Sequence, residues 1–204
     1  MIAIAGGKGG SGKTTTSLGL ARAFARQGED PIVADCDVDM PDLHVRARID
    51  RAGGIEELAD GAPIERACVR SDRVPGVRLL PAGDRSQIGT ALPELARWHG
   101  PVLLDCPPGV GPDAARPLRH ADHTVLVTTD QPQSVGDTAV TARTARQLSA
   151  EVLGTVVRET GEGTQELPDG LPVLGRVETV PAPFTHPGVR ATWATVSRTL
   201  RPQM

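Results

Sequence analysis

Gly7-Lys8-Gly9-Gly10-Ser11-Gly12-Lys13-Thr14 fits the pattern GxxxxGK[ST], and its neighbours decide what it means. Before it stands the apolar run Ile2-Ala3-Ile4-Ala5, and after it Leu18, Ala21 and Phe24 recur at helical spacing. Strand, glycine turn, helix is the context in which this motif grips phosphate. The glycines let successive backbone N–H groups converge on phosphate oxygens, and the helix N-terminus adds its partial positive charge at the same spot. In that arrangement Lys13 reaches the outer phosphates and the Thr14 hydroxyl ligates Mg²⁺.

Cation usage points to the same loop. Of 22 cationic side chains only Lys8 and Lys13 are lysines, and the rest are arginines. A rotating ammonium is a different phosphate ligand from a planar guanidinium fork, so keeping lysine only here suits a site that needs a point charge.

Away from the loop, short apolar runs alternate with stretches of helical period, the pattern of repeated strand–helix–strand units. It predicts an α/β fold: a doubly wound, mostly parallel sheet flanked by helices, in one domain over residues 1–204. Strands are expected near 2–5, 31–35, 77–80, 101–105, 123–128, 152–157 and 172–175. Helices are expected near 13–27, 54–60, 86–98, 113–119, 134–148 and 188–200, with Gly28 and Gly100 as stops. The polar, breaker-rich stretch 159–172 reads as a surface loop.

In open α/β sheets ligands sit at the carboxyl ends of the strands, so a magnesium nucleotide calls for acids there. Two segments supply them. Asp35, Asp37 and Asp39 follow the run Ile32-Val33-Ala34, and Asp105 follows Val102-Leu103-Leu104. With the Thr14 hydroxyl, these acids, Asp37 and Asp105 among them, are the candidates for holding the ion.

Composition bounds the rest. Hydrophobic residues are 39% and charged residues 23% of the 204, an ordinary globular balance. No apolar run approaches the roughly 20 residues that span a bilayer, and the start shows no leader pattern, so a cytoplasmic location is expected. Cys36, Cys68 and Cys106 lie far apart in sequence and suggest neither a disulfide framework nor a CxxC metal site. A formal net charge of −3 gives no global reason to bind nucleic acid.

Lys8-Gly9-Gly10-Ser11-Gly12-Lys13-Thr14-Thr15 resembles the deviant Walker A motif of the MinD/ParA group of P-loop ATPases, in the SIMIBI class, with its extra lysine near the start of the loop. The likeness runs along most of the chain. Asp35-Cys36-Asp37 with Pro41 and Leu43 resembles the group's first switch, and Leu80-Pro81-Ala82-Gly83 its edge strand and turn. Asp105-Cys106-Pro107-Pro108-Gly109 is similar to its Walker B and second switch, and Val173-Leu174-Gly175 through Val180-Pro181 to its last strand and base loop.

The resemblance implies an ATPase with ATP and Mg²⁺ bound by Gly7 through Thr15. It implies a dimer formed on ATP in which Lys8 of each copy reaches the other's phosphates. Asp37 would orient the attacking water, Asp105 would hold Mg²⁺ through its water shell, and Pro181 would lie at the base. Turnover would be slow until an activating protein partner completes the site, and the cycle would position a division site, a DNA segment or a protein array.

Three departures are visible. Where many members place a base-reading Asn, this chain has Val157-Arg158-Glu159-Thr160. The apolar stripe Val189, Trp193, Val196 and Leu200 is followed by Pro202, and reads as the inner face of a packing helix with no direct membrane anchor. Pro107-Pro108-Gly109 resembles the Mrp-type carriers, so an Mrp-like or metallocentre-accessory ATPase that gates metal or cluster transfer is the alternative. Arg190, Arg198 and Arg201 leave DNA as a further partner.

Overall fold

The computed structural model describes residues 1–51, 53–161, 167 and 170–203. Eight strands form one sheet in the order β3-β4-β2-β5-β1-β6-β7-β8. They are β1 (Ile2–Ala5), β2 (Ile32–Asp35), β3 (Val69–Arg70), β4 (Arg78–Leu80), β5 (Val102–Asp105), β6 (His123–Thr129), β7 (Glu151–Glu159) and β8 (Val173–Glu178). All neighbours run parallel except β3, which pairs antiparallel with β4.

Parallel strands covered on both faces must be apolar on both, and β1, β2 and β5 are buried at every position. Side chains still alternate between faces. Ile2 and Ile4 enter one core with Leu18, Phe24, Trp193 and Leu200, while Ala3 and Ala5 enter the other with Ile55, Leu92, Leu95 and Leu118.

The helices are α1 (Lys13–Ala25), α2 (Leu43–Ala47), α3 (Ile55–Ala59), α4 (Ile64–Ala67), α5 (Ile88–Leu95), α6 (Pro112–His120), α7 (Pro132–Gln147) and α8 (Pro187–Leu200), followed by a 3₁₀ turn at Arg201–Gln203. Proline opens α6, α7 and α8, where its missing N–H costs nothing and its φ is already helical. Gly28, at φ 87°, takes the left-handed conformation that ends α1.

Gly100 has another reason to be glycine. A Cβ there would lie 2.2 Å from the carbonyl oxygen of Asp30, so it serves a close approach five residues beyond the end of α5. The stripe Val189, Trp193, Val196 and Leu200 is buried and packs α8 against α1 and the sheet. No helix among the described residues is long and apolar enough to cross a membrane. Much of the stretch expected as a loop at 159–172 lies outside the described residues.

Chain direction reverses beside β1. From β1 the chain crosses to β2 on one side, while from β5, paired to β1, it crosses to β6 on the other. The connections after β1 and β5 therefore diverge, leaving a crevice at the carboxyl edge of the sheet.

Candidate phosphate-binding site

The loop of residues 6–12 occupies that crevice and has two unlike halves. A Cβ on Gly6 would come within 2.4 Å of the Val127 carbonyl oxygen, and one on Gly7 within 2.3 Å of the Asp137 Cβ on α7. Gly9 and Gly10 face open space, with nothing within 4 Å of a Cβ built on either. Gly10 and Gly12, at φ 78° and 101°, hold the turn in a region that side chains rarely adopt.

Lys13 and Thr14 begin α1, where backbone N–H groups lack partners within the helix. The Lys13 ammonium donates to the Lys8 carbonyl oxygen at 3.4 Å, and the exposed Lys8 ammonium lies 3.5 Å from Gln133 Oε1. Thr14 Oγ1 donates to Asp42 Oδ1 at 2.5 Å, and Arg46 Nε contacts the other oxygen of Asp42 at 3.3 Å. Lys13, Thr14, Asp37, Asp42, Arg46 and Asp105 line a cavity of about 220 Å³ beside the open half of the loop.

Register puts the acids in place. Asp35 and Asp105 are paired positions on adjacent parallel strands, and both side chains are buried. Asp105 accepts from the Ser17 hydroxyl at 3.3 Å. Asp35 turns toward its own loop instead, accepting the N–H groups of Asp37 and Leu43 at 3.1 and 3.2 Å. Asp37 is half-buried at the cavity, and its carboxylate accepts the Met40 N–H at 3.1 Å. Asp35 thus fixes the loop that carries Asp37 and Asp42.

Burial raises the pKa of both Asp35 and Asp105 well above the ordinary carboxylate range, and for Asp35 the neighbouring Asp105 adds to it. The folded protein therefore holds protons that the unfolded chain releases near pH 4, and its stability falls as pH rises from there toward neutrality. Without nucleotide or divalent ion, melting temperature should drop between pH 5 and pH 7. The slope approaches about 1.4 kcal/mol per pH unit for each proton held, or roughly 3–6 °C per proton for a chain this long. Asp35→Asn should flatten the profile measured by thermal denaturation. An unchanged slope would contradict the assignment.

Arg158, at the carboxyl end of β7, was noted in the sequence only as standing where an Asn was expected. Its Cδ lies 3.4 Å from the position of a Cβ on Gly12, and its Nε is buried without a partner. It lines the phosphate-side cavity and a second cavity of about 220 Å³ enclosed by Thr15, Val177, Val180 and Pro181. A buried donor without a partner costs about 1–3 kcal/mol, which an anionic or carbonyl acceptor would recover. Arg158→Ala should weaken nucleotide binding roughly tenfold or more by calorimetry. An affinity within twofold of wild type would show that Arg158 does not face the ligand.

Arg85 follows β4 and spans the two acidic loops. One guanidinium nitrogen contacts Asp39 at 2.6 Å, and the other contacts Asp113 on α6.

The loop heading the central strand, with its lysine and hydroxyl at the start of the next helix, puts the chain in the class of phosphate-loop nucleotide-binding folds. The comparisons narrow that class. The chain belongs to the CobQ/CobB/MinD/ParA nucleotide binding domain family, which matches residues 2–182.

Among curated relatives, the septum site-determining protein MinD of Synechocystis is 29% identical over 167 residues, covering 76% of this chain. An ATP-binding protein of Methanocaldococcus jannaschii is 30% identical over 177 residues, covering 81% of it. The chain spans 62% and 66% of the length of these two relatives. Pyrococcus horikoshii MinD, solved with Mg-ADP, superposes with a TM-score of 0.80 at 22% identity, covering 98% of this chain and 94% of that one. That likeness is one of fold.

Proposed function

We propose that the chain binds ATP with Mg²⁺ at the loop of residues 7–15, dimerises on the triphosphate and hydrolyses it slowly as a positional switch. The observation that carries this reading is the convergence of Lys13, Thr14, Asp37 and Asp105 on one cavity beside the open half of the loop. Their donor chemistry fits the ligand: an ammonium for phosphate oxygens, and a hydroxyl with carboxylates for a hard divalent cation. A bound Mg²⁺ would supply charge neutralisation at the phosphates.

The residues divide the work. Backbone N–H groups of Gly9 to Thr15 cradle the phosphates, and Lys13 neutralises their outer charge. Thr14, Asp105 and Asp37 hold the ion, directly or through water. Thr14 can ligate the ion through an oxygen lone pair while its O–H still donates to Asp42, which ties the loop between β2 and α2 to the metal position. Asp37 orients the attacking water. Thr15, Arg158 and Pro181 border the base, with Arg158 in place of the Asn that many members use.

The surroundings of the cavity support dimerisation. Met40 and Val45 are 77% and 64% exposed, and Val110 is 42% exposed on the loop before α6. Met40 lines the cavity, and exposed apolar side chains on the segments that follow the two acidic strand ends are surface a partner would cover. Lys8, exposed at the same edge, is free to reach a second copy's phosphates. The relatives' role as septum site-determining proteins supports a positioning function; in this reading the chain acts as one domain, in the cytoplasm, with an activating protein partner.

Size-exclusion chromatography with light scattering, run with ADP, ATP and a non-hydrolysable ATP analogue, tests the reading. A dimer is expected with ATP and the analogue, and a monomer with ADP. Failure to bind ATP with Mg²⁺ would overturn the proposal outright, while binding with a constant mass would overturn the dimer alone.

A further inference from the structure

Helices α1 and α8 pack through Gly19, whose missing side chain makes room for the indole of Trp193: a Cβ would lie 2.5 Å from the indole nitrogen. Beside that seam is a cavity of about 480 Å³, on the outer face of α1 and separate from the phosphate loop. Arg22 lines it from α1, Arg26 from the cap that follows that helix, and Arg190 and Arg198 from α8. No acidic residue lines it, and none of these four arginines joins an ion pair among the described residues.

That concentration of charge is not a by-product of composition, since acids outnumber lysine and arginine by 25 to 22. Arg22 and Arg26 are spaced i,i+4 at the end of α1, where like charges repel. Burial first, then Arg26 and Arg190, hold the Arg22 guanidinium below its usual range.

Two donors here are also unsatisfied. Trp193 is only 3% exposed, lines the cavity and has no partner for its indole N–H, and Arg22 Nε is likewise buried and alone. Buried donors normally find acceptors. A cleft that gathers four cations with no acid in its lining is completed by an acceptor-rich anion.

We propose that the α1/α8 cleft is a second, independent binding site for a small multivalent phosphate anion, held by Arg22, Arg26, Arg190 and Arg198. Guanidinium forks match phosphate oxygens in pairs, and the volume falls within the range of small-molecule sites. The cleft also lies behind the loop proposed at the base, since Arg22 donates to the Phe184 carbonyl oxygen and Phe184 and Trp193 wall both cavities.

The test is calorimetric titration of inorganic tripolyphosphate at about 0.15 M salt, where unspecific surface attraction is screened. Lys13→Ala, which disables the phosphate loop, should still bind one tripolyphosphate. The double variant Arg26→Gln/Arg190→Gln, in the Lys13→Ala background, should lose at least tenfold in affinity. Without ligand, the same two arginine substitutions in the wild-type chain should raise melting temperature by relieving repulsion. Should Lys13→Ala fail to fold, wild-type protein should show two sites and the arginine double variant one. No binding to folded Lys13→Ala, or affinity unchanged by the arginine substitutions, would overturn the proposal. So would binding of duplex DNA by this face with none of tripolyphosphate.

Discussion

Lys13→Ala should abolish measurable nucleotide binding while leaving the sheet intact. The Lys13 side chain is buried at the start of α1, and among the described residues its ammonium has one hydrogen-bond contact, a weak one at 3.4 Å to the Lys8 carbonyl oxygen. In the free protein that ammonium is therefore poorly satisfied and ready for phosphate oxygens. Removing one partner of a buried charge pair costs about 2–5 kcal/mol, or roughly 30- to 4,000-fold in affinity. Calorimetry with ATP and Mg²⁺ would read the loss directly. Affinity within threefold of wild type would mean that phosphates are held elsewhere. Lys13→Arg should also fail, because a planar fork at this position cannot follow the point-charge geometry of the loop.

Asp37→Ala is expected to separate binding from turnover. Asp37 borders the cavity, but among the described residues its carboxylate is tied to nothing beyond the Met40 N–H of its own turn. With Thr14 and Asp105 still in place to hold the ion, its loss removes less from ground-state binding than from the orientation of water, an effect of about 10²–10⁴ in rate for groups in such roles. Single-turnover hydrolysis should slow by at least about a hundredfold, while nucleotide affinity stays within about threefold and the ATP-bound dimer accumulates. Asp37→Asn keeps an acceptor for Met40 and loses the charge. If Asn restores the rate, Asp37 acts by shaping the turn and not by handling water.

How much of this was legible beforehand depends on how local each signal is. β1, the glycine loop and α1 could be read directly, because the motif and its flanking periodicity occupy one continuous stretch. The remaining parallel strands were legible as apolar runs of sheet length. Helices α2 and α4, of five and four residues, were not read from the sequence although α3, also of five, was, and two-residue β3 carries no pattern of its own.

Within the site, Thr14, Lys13 and Asp105 follow from the motif and the strand end. The division of labour between Asp35 and Asp37 does not: it turns on which of two nearby carboxylates folds back onto its own loop. Asp42 meets Thr14 from 28 residues away, and Arg158 meets Gly12 from the other half of the sheet. Such encounters are set by the strand order, which no single segment encodes. The departure at Arg158 was the one available signal, since a large cation where a small amide was expected alters the chemistry of the adjoining cavity.

The phosphate loop works like a vice with one fixed jaw. Gly6 and Gly7 are clamped between Val127 and α7 with no room for even a methyl group, so that side cannot yield to an incoming ligand. A Cβ built on Gly9 or Gly10 would meet nothing within 4 Å, so whatever adjustment the loop makes to a ligand falls on this half. Lys8 lies between the clamped half and the open one, so its backbone is anchored on one side only.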